Sequence, residues 1–465
     1  MSGIFGVVSK KDCVTDLFHG TDYHSHMGAE RAGLVVLSDR FKQEIHRIGS
    51  EQFRGKFVHT LSELKGNQGI GVITGVRESQ PLIVGSKMGN FAIVLLGMIT
   101  NADEVAKMLQ ENGHVFSEMS DGKINSVEVA AKIIAQGKDY VTGINDLFDQ
   151  IKGSASVLIL DQNGTIYAGR DKYGRTPLAI GVRDDSIAVA SETCAFANLG
   201  YNTVKFLQPG EIDVISKDGF SVVKEGNPDN LQVCAFLWIY TSFPASCVDG
   251  IDVELVRERC GRALARRDDV DADYASGVPD SGVGHGLGYA AEKGIPFRRP
   301  LVKYTPSYGR SYTPVSQQER DYIARMKLIA IEDIIKNQRI VICEDSIVRG
   351  TQLKNETVKK LWGANAKELH IRPACPPLMF PCVYLSSTRS INELAARRAI
   401  FALEGRNIDD VSEYIDHNST KYQQMVEWIR NDLGVTTLRY QLLDDMVEAI
   451  GLPKDRVCLY CWRGY

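Results

Sequence analysis

Short apolar runs broken by turn residues fill the first half of the chain. Residues 4–8, 69–74, 91–96, 155–160, 166–168, 186–190 and 211–215 read as strands. Asn163-Gly164 falls between two of them and predicts a tight hairpin. Helical stretches are read near 103–111 and 126–136. Many strands and few helices predict layered antiparallel sheets with helices packed outside.

The pattern changes after Gly226-Asn227-Pro228. Longer helices there alternate with single apolar strands, as in a parallel sheet. Ser316-Gln-Gln-Glu319 is a capping box that predicts a helix running to Lys336. Residues 339–343 read as a buried strand, followed by a loop and a helix over about 351–362 that Gly363 stops. The expected domains are 1–228 and 229–465.

Composition narrows the class. Among 465 residues, 44% are hydrophobic and 24% charged, which excludes a disordered or fibrous chain. A net charge of −4 gives no global basic field for nucleic acid or anionic lipid. The longest apolar run, about 91–99, is too short to span a bilayer. The basic residues near the start follow the apolar stretch, the wrong order for a signal peptide. A cytoplasmic enzyme is expected. Ten cysteines in such a chain are poor disulfide candidates, and most suit small buried positions. Cys458-Leu-Tyr-Cys461 stands apart, because CxxC suits a metal, a cluster or a redox pair.

The densest chemistry lies in Val341-Ile-Cys-Glu-Asp-Ser-Ile-Val-Arg-Gly-Thr351. An apolar strand ends in two acids, and a loop then ends in Gly350-Thr351 at a helix start. Amide N–H groups in such a loop bind phosphate. The acids can accept hydrogen bonds from vicinal ribose hydroxyls or bind Mg²⁺. A second loop, Gly277-Val-Pro-Asp-Ser-Gly-Val-Gly-His-Gly-Leu-Gly-Tyr289, packs five glycines into thirteen residues and offers Asp280 and Ser281 as oxygen ligands. A third segment, from Val302-Lys303 through Gly309-Arg310-Ser311, supplies cations for a pyrophosphate. Three anion-binding elements in one half exceed what a structural loop needs.

The strand–acid–acid–S-I-V-R-G-T element resembles the phosphoribosyl pyrophosphate (PRPP) motif of type I phosphoribosyltransferases. With V-P-D-S-G and G-R-S, the chain resembles the glutamine phosphoribosylpyrophosphate amidotransferase family, which makes 5-phosphoribosylamine in purine synthesis. The first half resembles that family's N-terminal-nucleophile glutaminase domain, through Ser2-Gly-Ile-Phe-Gly6, residues 26–33, Arg170-Asp171-Lys-Tyr-Gly174, Ser191-Glu192-Thr-Cys194 and Gln208-Pro-Gly-Glu211. The resemblance implies an α+β N-terminal-nucleophile (class II glutaminase-like) sandwich followed by an α/β type I phosphoribosyltransferase domain. It places Asp280, Ser281, Lys303, Arg310, Glu344, Asp345, Ser346, Arg349, Gly350 and Thr351 on PRPP, with Ser281, Glu344 and Asp345 as Mg²⁺ positions. The usual acid pair is Asp-Asp; here the first is Glu344. The segment between Lys303 and Arg310 is one residue longer than usual and lacks an expected arginine.

In one branch of the family four cysteines hold a 4Fe–4S cluster, and Cys234, Cys382, Cys458 and Cys461 match their contexts. Cys₄ also suits zinc. The resemblance further implies a homotetramer or homodimer. Its glutaminase site departs from the pattern. The nucleophile is an N-terminal cysteine in the family and Ser2 here, whether natural or engineered. The arginine that holds the glutamine carboxylate aligns with Thr74, the oxyanion-hole Asn-Gly with Leu96-Gly97, and the ammonium acceptor with Ser126. Arg77 is a possible substitute for the clamp. H-R-G-Q reads His26-Met-Gly-Ala29. Four changes in one site are more than one engineered mutation explains, so glutamine hydrolysis is expected to be lost.

Two functions follow. One is a phosphoribosyltransferase that uses PRPP with ammonia or another amine. The alternative is a non-catalytic PRPP- or nucleotide-binding regulatory paralogue.

Overall fold

The computed structural model describes residues 1–49, 51–120, 122–304, 326, 328–385 and 390–465. The chain divides into two compact units. The first is Met1–Cys234 with Ala245–Gly250 and Val383–Ser386; the second is Ala235–Pro244, Ile251–Cys382 and Ser387–Tyr465.

The first unit stacks two antiparallel sheets. In one sheet of seven strands the order is Asn202–Phe206, Ala179–Arg183, Ser186–Ala190, Ser2–Ser9, Gln68–Thr74, Arg31–Leu37 and Phe41–Arg47. In the other, of six strands, it is Gly219–Lys224, Ile212–Ser216, Ile166–Gly169, Gly153–Asp161, Gly89–Ile99 and Leu82–Ser86. Alternation along each strand sends one set of side chains inward and the other outward. Ile4, Val8, Val72, Val94, Leu96 and Leu158 fill the space between the sheets. Phe5, Val7, Ala32 and Ile73, of opposite parity, pack outside against Leu17 and Phe18 of the Val14–Asp22 helix. Ile93, Leu95 and Val157 pack outside the second sheet against the Ser126–Gln136 and Tyr140–Gln150 helices. The result is a helix–sheet–sheet–helix sandwich. Asn163-Gly164 turns the expected hairpin between Gly153–Asp161 and Ile166–Gly169, with Gly164 at φ +83°.

The second unit is built on a parallel sheet ordered Tyr274–Gly277, Arg339–Glu344, Glu368–Pro373 and Thr437–Leu438. Helices such as Val253–Arg266, Val283–Lys293 and Thr420–Leu433 cover it. The expected helix through Lys336 is corrected. Its capping box, residues 316–319, lies outside the described residues. Within them, Leu328–Ala330 is a strand paired antiparallel with Leu301–Lys303, and only Glu332–Ile335 is helical. A ladder to a distant segment there overrides the local helical propensity. The helix after the acid pair carries a π-helical stretch at Leu353–Val358 before regular α-helix at Lys359–Gly363.

Candidate functional site

Arg339–Glu344 is an apolar strand with Ile340–Cys343 buried, so its C-terminal end delivers Glu344 and Asp345 to the sheet edge where ligands bind in open α/β folds. Both acids are nearly buried, 9% and 6% exposed. Asp345 N donates to Glu344 Oε1 (3.0 Å), and Ser281 Oγ donates to the same oxygen (3.3 Å). Ser346 Oγ donates to Asp345 Oδ1 (2.6 Å). Burial, and next the charge of Asp345, holds the Glu344 carboxyl well above its ordinary range.

The glycine-rich loop lies hard against this strand end. Val278 N donates to Cys343 O (3.0 Å). A Cβ on Gly282 would stand 2.3 Å from that same oxygen, so only glycine permits the approach. Ser281 and Glu344 thereby meet although sixty-three residues separate them. Asp280, exposed, pairs with Lys303 Nζ at 2.8 Å. Gly350 takes φ +75° ahead of Thr351, where the next helix begins. Arg349 turns away to Glu393 (2.6 Å). Arg310 lies outside the described residues. The structure thus brings Ser281, Glu344, Asp345 and Ser346 together, and Asp280 with Lys303.

Two carboxylates and a hydroxyl are the donor chemistry of a hard divalent cation. Among the described residues, no three His, Cys, Asp or Glu side chains are grouped to hold a metal ion. The thiols are placed as follows. Cys461 O accepts from Met379 N (2.9 Å) and Phe380 N (3.1 Å), and Trp462 Nε1 donates to Pro376 O (3.0 Å). The terminal CxxC is therefore stitched to the segment that runs into Cys382. Cys382 and Cys461 are buried and Cys458 is half-buried. Cys234, also buried, closes the first unit, where its N donates to Arg175 O (3.1 Å).

In the first unit, Ser2 begins the strand Ser2–Ser9 and is buried. It pairs with Thr74, and their hydroxyls lie 2.8 Å apart. With Met1 in place, Ser2 N is a peptide amide; Met1 O accepts from Gly75 N (2.7 Å). Thr74 is wholly buried and offers no charge. Leu96, 1% exposed, is part of the intersheet core. Ser126 N and Oγ donate to the Glu78 carboxylate (3.0 and 2.9 Å). Arg77 is exposed and 3.9 Å from Glu30 Oε2. His26 lies 3.6 Å from buried Glu192, which also accepts from Ser246 Oγ. His24, beneath Gly3, is pulled down to about 4 by burial and so is neutral there.

The R-D-K-Y-G motif is a brace. Arg170, 1% exposed, donates to Thr176 O, Gly174 O and both oxygens of Asp249. Gly174 makes the turn at φ +59°.

Sequence reasoning missed Arg31 and Glu78. Arg31 pairs with Thr74 from the other side of the same strand, and its Nη1 donates to Ser79 Oγ (2.7 Å). A cation opening an otherwise apolar strand, A-G-L-V-V-L, at inward parity is the signal that marks it.

A sandwich that opens on residue 2, and a parallel α/β sheet ending in an acid pair beside a glycine loop, define a class: glutamine amidotransferases that carry a phosphoribosyltransferase domain. Residues 69–198 match the glutamine amidotransferase domain family. An amidophosphoribosyltransferase of Methanocaldococcus jannaschii is 33% identical, over 100% of this chain and 97% of its own. One from Bacillus subtilis is 31% identical over 99% and 93%. The chain belongs to the amidophosphoribosyltransferase family. Among solved structures, the glutamine PRPP amidotransferase from B. subtilis complexed with ADP and GMP superposes with a TM-score of 0.83 at 29% identity, covering 100% of this chain and 96% of that one.

Proposed function

We propose that this chain transfers the phosphoribosyl group of PRPP to ammonia or another amine, and that its glutaminase half has lost hydrolysis. The observation that carries the transfer is the Ser281–Glu344–Asp345–Ser346 cluster at the strand end. In the reaction the amine nitrogen forms a bond to ribose C1 as the C1–oxygen bond to pyrophosphate breaks. Pyrophosphate leaves with the electron pair, and the amine gives up a proton. The transition state carries positive charge at C1 and growing negative charge on the leaving group, so fixed polar groups accelerate it and no covalent protein nucleophile is needed. Asp345 and Glu344 orient the ribose hydroxyls. The loop around Gly350-Thr351 seats the 5′-phosphate, and Lys303 and Arg310 meet the pyrophosphate. Ser281, Glu344 and Asp345 would hold Mg²⁺, which supplies further charge neutralisation when bound.

Loss of hydrolysis rests on a different set of residues. Ser2 replaces the thiol, Leu96 is sealed in the core, and Thr74 carries no charge. Cys234, Cys382, Cys458 and Cys461 are proposed as 4Fe–4S ligands with a structural task; thiolates suit it, and the stitched CxxC supplies a fixed frame. A cytoplasmic homotetramer or homodimer is proposed with them. No described helix is long and apolar enough to cross a membrane.

Arg349 is engaged by Glu393, and this favours the second reading, a non-catalytic PRPP- or nucleotide-binding paralogue. Pyrophosphate release from PRPP with ammonium separates the two: turnover supports the transferase, and tight PRPP binding without turnover supports the regulator.

A further inference from the structure

In the six-stranded sheet of the first unit, Gly219–Lys224 is an outermost strand, and among the described residues it pairs only with Ile212–Ser216. Its other side is a free edge. Such edges are normally blunted by proline, by inward charges or by brevity, because their unpaired N–H and C=O groups invite another strand. This one reads Gly-Phe-Ser-Val-Val-Lys, with no proline and no charge before its last residue. The register irregularity opposite Ile212 and Asp213 falls after Val222 and leaves Gly219–Val222 regular. Ile215, opposite Phe220, is buried between the sheets, so Phe220 and Val222 carry that apolar face past the sheet edge. They are 36% and 39% exposed.

The backbone of this strand has a fixed phase. Ser216 and Gly219 flank a two-residue turn and so exchange hydrogen bonds, and opposed pairs alternate from there between bonded and unbonded. Gly219 and Ser221 therefore direct their polar groups to Ile212–Ser216, whereas Phe220 and Val222 turn theirs to the free side. A second copy of the strand, laid antiparallel and centred on Ser221, sets Phe220 against Val222 at two symmetric places. It also sets Lys217 opposite Glu225 and Asp218 opposite Lys224. Centring on Phe220 or Val222 instead leaves all of these charges opposite uncharged residues. Lys217, Asp218 and Glu225 are exposed and, like Lys224, make no ion pair among the described residues. Lys224 Nζ donates to a neutral acceptor, Asn145 Oδ1. The strand is thus complementary to itself in charge, in apolar pairing and in backbone phase at one register.

We propose that this edge docks a second copy of this chain. The two strands meet antiparallel about a two-fold axis at Ser221, with the same patch on both copies, and the two sheets run on as one. Phe220 exchanges both backbone hydrogen bonds with Val222 of the other copy, and Phe220 packs beside that valine. The flanking Lys217–Glu225 and Asp218–Lys224 pairs set the register. The proposal deepens the oligomer proposed above by naming its face. An oligomer assembled through other faces keeps that reading and loses this one.

Disulfide cross-linking of Ser221→Cys in the full chain tests it. Residue 221 faces its own copy at an unbonded position, where Cβ atoms lie about 4.5–5.5 Å apart, near enough for a disulfide to close. Mild oxidation with diamide is expected to give a covalent dimer on a non-reducing gel. Val223→Cys, on the same edge but about 14 Å from its own copy along the strand, should stay at the parent's level. Adding Glu225→Lys to Ser221→Cys sets like charges opposite each other and should slow cross-linking at least threefold; adding Lys217→Glu as well should restore it. No dimer from Ser221→Cys beyond the parent overturns the proposal, as does an equal yield from Val223→Cys or a charge swap that fails to restore the rate. If Ser221→Cys fails to fold, hydrogen exchange on the parent decides: the amides of Phe220 and Val222 should be protected at high protein concentration and exchange freely on dilution, and rates that ignore concentration overturn it. Light scattering on the parent separates the two readings. An oligomer without cross-linking at residue 221 sinks this inference alone, whereas a monomer sinks the oligomer with it.

Discussion

Ser2→Cys restores the family's nucleophile and is expected to restore no glutaminase activity. The reason is the rest of the site. Leu96, 1% exposed and packed among intersheet side chains such as Ile4 and Val94, cannot donate to an oxyanion. One missing oxyanion donor costs about 3–4 kcal/mol of transition-state stabilisation, a factor of roughly 10²–10³ in rate. Thr74, at 2.8 Å from the Ser2 hydroxyl, adds no charge to hold a carboxylate. Groups that act as a unit are not rescued singly. Adding Leu96→Asn would place an amide in the intersheet core, at about 2–4 kcal/mol of stability from lost apolar packing and unmet hydrogen bonding. The double variant should therefore melt lower before it catalyses. The assay is glutamate release from glutamine, with and without PRPP, on protein shown by mass spectrometry to begin at residue 2. Glutamate release above background from Ser2→Cys alone would refute the reasoning.

Glu344→Ala and Asp345→Ala should each abolish PRPP-dependent pyrophosphate release while circular dichroism stays unchanged, since both acids end a strand and are not part of its apolar packing; full turnover in both would remove the site assignment. Protein prepared without oxygen should be brown and carry iron and labile sulfide, and Cys461→Ser should lose both; zinc with no iron would contradict the cluster. Asp213, wholly buried, is pushed up to about 7 by burial, against the pull of Lys205 at 2.7 Å. The folded state thus binds the extra proton between the ordinary carboxyl range and pH 7, so this group's contribution is full at low pH and lost as pH rises through 7. Asp213→Asn should gain stability relative to the parent between pH 5 and pH 8 in urea unfolding; parallel pH profiles would show that the carboxyl is ionised throughout.

The sandwich was legible because alternation and turn residues act locally: the strands expected at 4–8, 69–74 and 91–96 sit inside Ser2–Ser9, Gln68–Thr74 and Gly89–Ile99. The acid pair was legible because an apolar strand followed by two acids has few structural uses. Leu328–Ala330 was not, since its partner lies across a long intervening segment and only the ladder decides between helix and strand. Arg31 and Glu78 were hidden for a related reason. Their partners are forty-eight residues away, Ser79 for one and Ser126 for the other. A motif compares each position with its family counterpart, so it records Thr74 and Ser126 as losses and does not see hydrogen bonds made from elsewhere in the chain.

The proposed activity is transfer from PRPP to an amine without glutamine hydrolysis. It is tested most directly by measuring pyrophosphate release from PRPP and Mg²⁺ in one preparation, with ammonium chloride in one sample and L-glutamine in the other. Ammonium is expected to give steady pyrophosphate release, and glutamine to give neither pyrophosphate nor glutamate above background. Equal pyrophosphate release in the two samples, with matching glutamate, would contradict the account.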